Sequence, residues 1–152
     1  MEDSYVLQLL KPKFKDFHLC FCGFAECKPL HSYGPAARPN YILHYVMKGK
    51  GIYQVGETKY PLKEGQAFLI EPESLTFYQA DKTAPWSYLW VGFGGTEAQR
   101  FVRDLGLNSR QLTCECEYGK ELKEIVFEML RHTYSTAELS LIHISEPTRH
   151  LR

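Results

Sequence analysis

Short hydrophobic runs separated by Gly- or Pro-containing turns follow one another from about residue 17 to residue 93. The clearest is "YILHYVM" at residues 41–47, and after the turn "KGKG" come "IYQV", "TKYPL", "AFLI" and "LTFYQA". Alternation at every second residue places side chains on opposite faces of a strand. Short strands at this spacing predict an antiparallel sandwich or a small barrel.

The stretch "PWSYLWVGFGG" at residues 85–95 concentrates aromatic side chains on one face of a predicted strand. The positions on that face are Trp86, Tyr88 and Trp90. The alternate positions, on the opposite face, are Leu89, Val91 and Phe93. Two interpretations are open for the aromatic face, an unusually aromatic core or one wall of a binding cavity, and the second face is predicted to pack.

The pattern changes to that of amphipathic helices after residue 95. A first helix is predicted in "TEAQRFVRDLGL", with Thr96 as its N-cap and Gly106 just past its end. A second is predicted in "KELKEIVFEMLRHTY", with the apolar stripe Leu122, Ile125, Val126, Met129 and Leu130. Ser135 and Glu138 have capping-box spacing and predict a further helix, which makes a helical hairpin. Its apolar face either covers the barrel or docks on a second copy of the chain.

Four segments are therefore predicted along the chain. Residues 1–16 form an N-terminal arm, residues 17–95 a barrel and residues 96–142 a helical region. In residues 143–152, Pro147 interrupts the amphipathic pattern, and we interpret this tail as non-native.

Composition narrows the classes of function. The 152 residues suit one domain, and 18 basic and 18 acidic residues give a net charge of zero, which argues against a stand-alone nucleic-acid binder. The sequence shows neither a signal peptide nor an apolar run long enough to cross a bilayer, so a cytoplasmic protein without membrane contact is predicted. Five cysteines are an odd number, which predicts thiols, and their two C-x-C pairs are a weak zinc pattern.

Motifs for catalysis are lacking. The sequence contains no G-x-S-x-G, no phosphate-binding loop and no H-E-x-x-H. Metal-binding β-barrels of this size usually carry two histidines one residue apart on a strand, and here the comparable strand carries His44 alone. We interpret His44 as a hydrogen-bonded core residue and predict a protein that is not an enzyme and holds no metal or other cofactor.

Four residues suit a neutral ligand rich in hydroxyl groups: Arg38, Tyr78, Tyr88 and Trp90. The Arg38 guanidinium carries five donors that can clamp ring hydroxyls or a carboxylate. Aromatic rings supply stacking faces, and the tyrosines add polar tips. The alternative for Arg38 is a surface ion pair, and for the aromatic residues it is a place in the core.

The order of four weak motifs carries a family resemblance. The motifs are "RP" before the strand at residue 41, "G-x-G" at residues 49–51, "L-x-x-G-x-x-x-L-I-x-P" at residues 62–72 and "W-x-x-x-W-V-x-F" at residues 86–93. With the amphipathic helix that follows, residues 17–142 resemble the N-terminal effector-binding and dimerisation domain of AraC-type bacterial transcription regulators.

The resemblance implies a mainly β fold, a cupin-like double-stranded β-helix (jelly-roll barrel) followed by an α-helical hairpin. It implies a mono- or disaccharide effector stacked on Trp90 and held by Arg38 and Tyr78. Tyr88, a longer phenol, stands where arabinose-responsive members have a histidine, so the resemblance does not specify which sugar binds. It also implies an arm at residues 5–10 that closes over the ligand, and a homodimer formed through the C-terminal helices.

Full-length members of the family carry helix-turn-helix units that bind DNA, and this chain ends before them. It is therefore expected to bind an effector without binding DNA by itself, the effector shifting an equilibrium in the arm or the dimer interface. Two alternatives stay open at this point. One is a metal-dependent cupin enzyme such as a sugar isomerase or dioxygenase, and the other is a carbohydrate-binding or dimerisation module without a switching role.

Overall fold

A computed structural model describes residues 3–8 and 15–131 of the chain. The strands are β1 (Asp3–Gln8), β2 (His18–Glu26), β3 (Ser32–Ala36), β4 (Tyr41–Lys48), β5 (Lys50–Val55), β6 (Thr58–Lys63), β7 (Gln66–Ile70), β8 (Thr76–Ala80), β9 (Ser87–Gly94) and β10 (Thr113–Glu115). The helices are α1 (Ala98–Asp104) and α2 (Gly119–Arg131). The strands predicted between residues 41 and 93 are thus all present.

Two antiparallel sheets form the barrel. The six-stranded sheet has the order β1-β2-β9-β4-β7-β10, and the four-stranded sheet has the order β3-β8-β5-β6. Neighbouring strands are often distant in sequence, because the chain crosses repeatedly from one sheet to the other. The predicted mainly β barrel followed by helices is confirmed.

Aromatic rings close one end of the barrel. Phe68 of β7 stacks on Tyr53 at a centroid distance of 4.5 Å and on Trp86 at 5.7 Å. The Tyr53 hydroxyl donates a hydrogen bond of 2.8 Å to the Leu69 carbonyl, which ties the two sheets together. Burial raises the pKa of Tyr53, so its phenol stays protonated and remains a donor.

A second cluster lies on the outer side of the six-stranded sheet, under α2. Its fully or nearly fully buried members are Cys22, Phe24, Met47, Leu89, Val126, Phe127 and Leu130. Phe24 meets Phe127 edge-on at 5.3 Å. Leu89 therefore packs outside the barrel, as predicted for the second face of its strand.

The first helix begins one residue later than predicted. Its N-cap is Glu97, without a side-chain capping bond, so the assignment of Thr96 as N-cap was wrong. The Thr96 N–H donates to the Lys15 carbonyl instead, which holds this residue on the preceding loop. At the other end Gly106 has φ +84°, and its N–H donates to the Arg103 carbonyl, as predicted for a residue just past a helix.

Two features of the predicted helical region also differ. Ile125 of the predicted stripe is 56% exposed, because Phe127 takes its place among the buried residues of α2. Strand β10 returns to the six-stranded sheet and pairs with β7, where no strand was predicted. The predicted helix at residues 135–142 and the tail at 143–152 lie outside the described residues. Within those residues, the helices are too short or too polar to span a membrane.

Two glycines on β2 and β9 accept aromatic rings from the neighbouring strand. Gly23 lies opposite Trp90 and Gly92 lies opposite Phe21 in the strand register. A methyl group at Gly23 would lie 2.6 Å from Trp90 Cε2 and 2.7 Å from the Tyr5 carbonyl oxygen. A methyl group at Gly92 would meet the Phe21 ring in the same way. Both rings thus lie against bare backbone.

Gly23→Ala is expected to lower the free energy of unfolding by about 1–3 kcal/mol, because the added methyl group overpacks against a ring and a strand backbone. Urea unfolding measures this change. The control is Gly94→Ala on β9, where the nearest atom is His18 Nε2, 3.3 Å from the new methyl position. Equal loss in both variants would contradict the close packing of Trp90 on Gly23.

Candidate functional site

A cavity of about 190 Å³ lies between the two sheets and borders the aromatic closure. It is lined by Ser4, Val6, Phe21, Tyr33, Ala36, Arg38, Ile42, His44, Ile70, Thr76, Tyr78, Tyr88 and Trp90. Mostly apolar walls with a few converging polar groups are typical of small-molecule sites.

The structure brings all four predicted site residues to this cavity. Arg38 comes from the loop before β4, Tyr78 from β8, and Tyr88 and Trp90 from the inner face of β9. Tyr88 meets Tyr78 at 5.9 Å and Trp90 at 5.7 Å, both edge-on. Their role in binding stays a prediction, but their common location is a feature of the fold.

The aromatic face of β9 is divided between core and cavity. Trp86, just before the strand, is 1% exposed and packs on Phe68 in the closed end. Tyr88 and Trp90 follow at two-residue steps and line the cavity. Both interpretations of this face therefore apply, each to a different part of it.

Arg38 is held over the cavity by contacts on both its backbone and its side chain. The Glu73 N–H donates to the Arg38 carbonyl at 2.6 Å, which fixes the loop. The guanidinium lies 5.2 Å from the centroid of the Phe21 ring and donates a 3.4 Å hydrogen bond to the Tyr33 hydroxyl. A cation over a ring face is attracted by the ring quadrupole. The predicted alternative of a surface ion pair is not found among the described residues.

Strand β1 supplies one wall of the cavity. It pairs antiparallel with β2, and Ser4 and Val6 line the cavity while Tyr5 and Leu7 pack on the outer cluster under α2. The predicted arm at residues 5–10 is therefore a strand as far as Gln8, and residues 9 and 10 lie outside the described part. Opposite orientations of neighbouring residues follow from the strand period.

His44 is a cavity residue that the sequence did not identify. It was predicted to be a hydrogen-bonded core residue; it is buried at 2% exposure, but its Nδ1 has no hydrogen-bond partner. Burial lowers the pKa of His44 to about 3, so the imidazole is neutral. The period of β4 places Ile42, His44 and Val46 on one face, and this alternation is the pattern in the sequence that indicates an inward-facing His44. The register that pairs His44 with Trp90 is long-range and not visible in the sequence.

Charge is sparse around the cavity. Of the described residues that line it, Arg38 is charged and none is a carboxylate. Over residues 3–8 and 15–131, no three His, Cys, Asp or Glu side chains are grouped so that they could hold a metal ion. All five cysteines fall in this range and none forms a disulfide.

Comparison with known proteins identifies the family. The family model described as "AraC-like ligand binding domain" matches residues 18–145. This chain belongs to that family.

Relatives of this AraC-like domain are transcription regulators of bacterial operons. The Msm operon regulatory protein of Streptococcus mutans is 32% identical over 124 residues, which cover 82% of this chain and 43% of that protein. The raffinose operon transcriptional regulatory protein RafR of Pediococcus pentosaceus is 35% identical over 86 residues, 55% of this chain and 31% of that protein. The AraC-like domain thus spans less than half the length of these curated relatives.

Solved structures share its fold. YhaK from Escherichia coli superposes with a TM-score of 0.59 at 14% identity, covering 78% of the AraC-like domain and 53% of YhaK. A cupin 2 conserved barrel domain protein from Leptotrichia buccalis gives a TM-score of 0.52 at 19% identity, over 62% of this chain and 41% of that one. These likenesses show the cupin fold alone.

The buried His44 is expected to make the AraC-like domain sensitive to acid. The pKa of His44 is about 3 in the folded domain and 6.5 for an ordinary, solvent-exposed histidine. At a pH between these values, the unfolded chain therefore binds a proton that the folded chain does not. Stability therefore falls as the pH drops below 6.5. Urea unfolding at about pH 7 and about pH 5 measures this effect. Between the two pH values, the free energy of unfolding should fall by about 2 kcal/mol more in wild type than in His44→Phe. Parallel losses would contradict the neutral, buried imidazole.

Proposed function

We propose that this domain binds a sugar effector in the cavity between its sheets and serves as the ligand-sensing part of a bacterial transcription regulator. The observation that supports this most directly is the convergence of Arg38, Tyr78, Tyr88 and Trp90 on one cavity. They come from three separate parts of the chain, and the chemistry of all four suits a neutral ligand rich in hydroxyl groups.

The shape and charge of the cavity favour a neutral polyhydroxyl ligand. Trp90 is half-buried and has one side against Gly23, so its indole is held in place before any ligand binds. A fixed ring stacks on the C–H face of a sugar without losing rotamer freedom. Arg38 adds a fork of donors for ring oxygens. About 190 Å³ suits a single sugar ring better than a drug-sized molecule, whose pockets usually exceed about 300 Å³.

The printed names of the relatives suggest the first sugars to test. One relative is named for a raffinose operon, and a lactose operon transcription activator of Staphylococcus xylosus is 29% identical over 100 residues. Raffinose and lactose share a terminal galactose ring, which is the size of ligand that the cavity favours. Galactose, lactose and raffinose therefore form the panel, with glucose and arabinose for comparison.

Thermal unfolding with each sugar, with and without a chelator, tests the proposal. A sugar at about 100 times its dissociation constant should stabilise the domain by about 2.7 kcal/mol. This raises Tm by roughly 2–4 °C per kcal/mol for a domain near this size. A shift that is specific for one sugar and unaffected by chelator supports an effector-binding domain. No shift with any sugar, together with a loss of stability in chelator, would favour the metal-dependent cupin enzyme instead.

Trp90→Ala is expected to abolish sugar binding, because the stacking surface is removed, while the domain stays folded. Trp90 is half-buried in an open cavity, so water can fill the space that its truncation leaves. The matched control is Trp86→Ala, at a residue 1% exposed in the closed end. That change should cost about 3–5 kcal/mol of stability. Calorimetric titration and urea unfolding of both variants separate the two roles. Unfolding of Trp90→Ala, or binding that matches wild type, would remove Trp90 from the site.

The domain is also proposed to form a homodimer through its C-terminal helices. Ile125 projects from α2 at 56% exposure, whereas the opposite side of that helix packs on the barrel. Exposed apolar side chains beside a covered helix face are common at subunit contacts.

Ile125→Glu should shift the protein from dimer to monomer, because a carboxylate placed in an apolar contact must be desolvated. Analytical ultracentrifugation over a range of concentrations measures the shift. Ile52→Glu on β5, at a residue 37% exposed and away from the helices, is the control. A dimer that survives Ile125→Glu would place the contact elsewhere.

A further inference from the structure

His44 occupies the centre of the inner face of the six-stranded sheet. In the strand register it lies directly opposite Trp90 of β9 on one side and Phe68 of β7 on the other. Phe68 belongs to the closed end of the barrel and Trp90 lines the cavity. His44 thus stands at the boundary between packed core and open space, and it lines that space itself.

Four aromatic rings surround the imidazole. Phe68 stacks on it at 4.6 Å with an interplanar angle of 5°, and Trp90 stacks at 6.1 Å. Tyr78 and Tyr88 meet it edge-on at 4.9 Å and 5.0 Å. These neighbours pack well, but the Nδ1 atom forms no hydrogen bond among the described residues. A buried polar atom without a partner is unfavourable, and native proteins rarely retain one without a reason.

We propose that His44 is a specificity-determining residue of the cavity, whose imidazole forms a hydrogen bond with a hydroxyl group of the bound sugar. This rests on the proposed function, because it assumes that a sugar fills the cavity. The ligand hydroxyl then forms the hydrogen bond that His44 Nδ1 lacks among the described residues. His44 stacks on Phe68 of the closed end at 4.6 Å, so the contacted hydroxyl belongs to the part of the sugar that lies against that end.

The state of the imidazole defines the ligand group. Burial keeps the ring neutral, and a neutral imidazole has one donor nitrogen and one acceptor nitrogen. A hydroxyl can serve either nitrogen, since it both donates and accepts. A carboxylate can only accept, so it can pair with this imidazole through the donor nitrogen alone, whereas a hydroxyl can pair with either nitrogen. Hydrogen-bonding sites of this kind reject analogues that lack the hydroxyl, because the buried nitrogen is then left unpaired again.

The His44→Phe variant separates binding from packing. Phenylalanine retains a flat ring between Phe68 and Trp90 and removes both nitrogens. Without sugar, its Tm should equal or exceed that of wild type near neutral pH. Its affinity for galactose, lactose or raffinose, whichever binds wild type, should fall at least tenfold in calorimetric titration. A purely structural histidine predicts the reverse, a loss of stability with unchanged affinity.

Two further variants complete the comparison. His44→Gln keeps one donor and one acceptor, so its affinity should lie between wild type and His44→Phe. His31→Phe makes the same change on the loop before β3, away from the described cavity residues, and should bind as wild type does.

Nitrogen NMR of the histidine rings provides a readout that does not depend on variant folding. On saturation of wild type with the binding sugar, the ring nitrogens of His44 should shift and those of His31 should not. Unchanged His44 nitrogens overturn the proposal, and so does unchanged affinity in a folded His44→Phe. If Trp90→Ala loses the sugar in that case, the proposed function stands and the His44 contact alone fails. If wild type binds none of the sugars, both fail together.

Discussion

The rings of Phe21 and Trp90 pack closely against glycine backbone, and the shape of the cavity depends on this arrangement. Each ring extends across the neighbouring strand, where Gly92 and Gly23 offer no side chain to displace it. A side chain at either glycine would displace the ring that lies against it, and both rings line the cavity. Packing inside proteins is dense enough that open volume has to be created by specific residues. Here that open volume depends on two glycines, each of which lies against an aromatic ring of the neighbouring strand.

Phe68 lies where the packed core meets the cavity. On one side it stacks with Tyr53 and Trp86, which seal the barrel, and on the other it stacks with His44, which faces the open space. The same ring therefore belongs to the core and packs against a polar group of the cavity. A change in the size of this side chain would alter stability and ligand contacts together. Phe68 is for that reason a poor site at which to study either property separately.

Much of this architecture is predictable from local patterns. Alternating residues and turn glycines give the strands between residues 41 and 93, and Gly106 marks the end of α1 as expected. The four candidate residues were found from residue chemistry and family motifs, and the fold brings them to one cavity.

What escaped prediction depends on contacts between distant parts of the chain. Whether an indole faces core or cavity is decided by the rings that oppose it, so Trp86 and Trp90 look alike in the sequence. The short β10 exists because β7 offers an edge, which no local pattern reveals. In the sequence His44 is an isolated histidine, and its place in the cavity follows from a register with Trp90 that spans 46 positions of the chain.

Strand β1 has one side in the cavity, through Ser4 and Val6, and the other on the cluster beneath α2, through Tyr5 and Leu7. Docking of this strand and occupation of the cavity by a ligand that contacts it are therefore thermodynamically linked. Linkage is reciprocal: if docking of the strand raises ligand affinity by some factor, a bound ligand raises the docking equilibrium of the strand by the same factor. Helix α2 enters the same cycle, because its buried face supports the strand from outside. Under the proposed function, this packing would couple a ligand inside the barrel to a helix that the ligand does not touch.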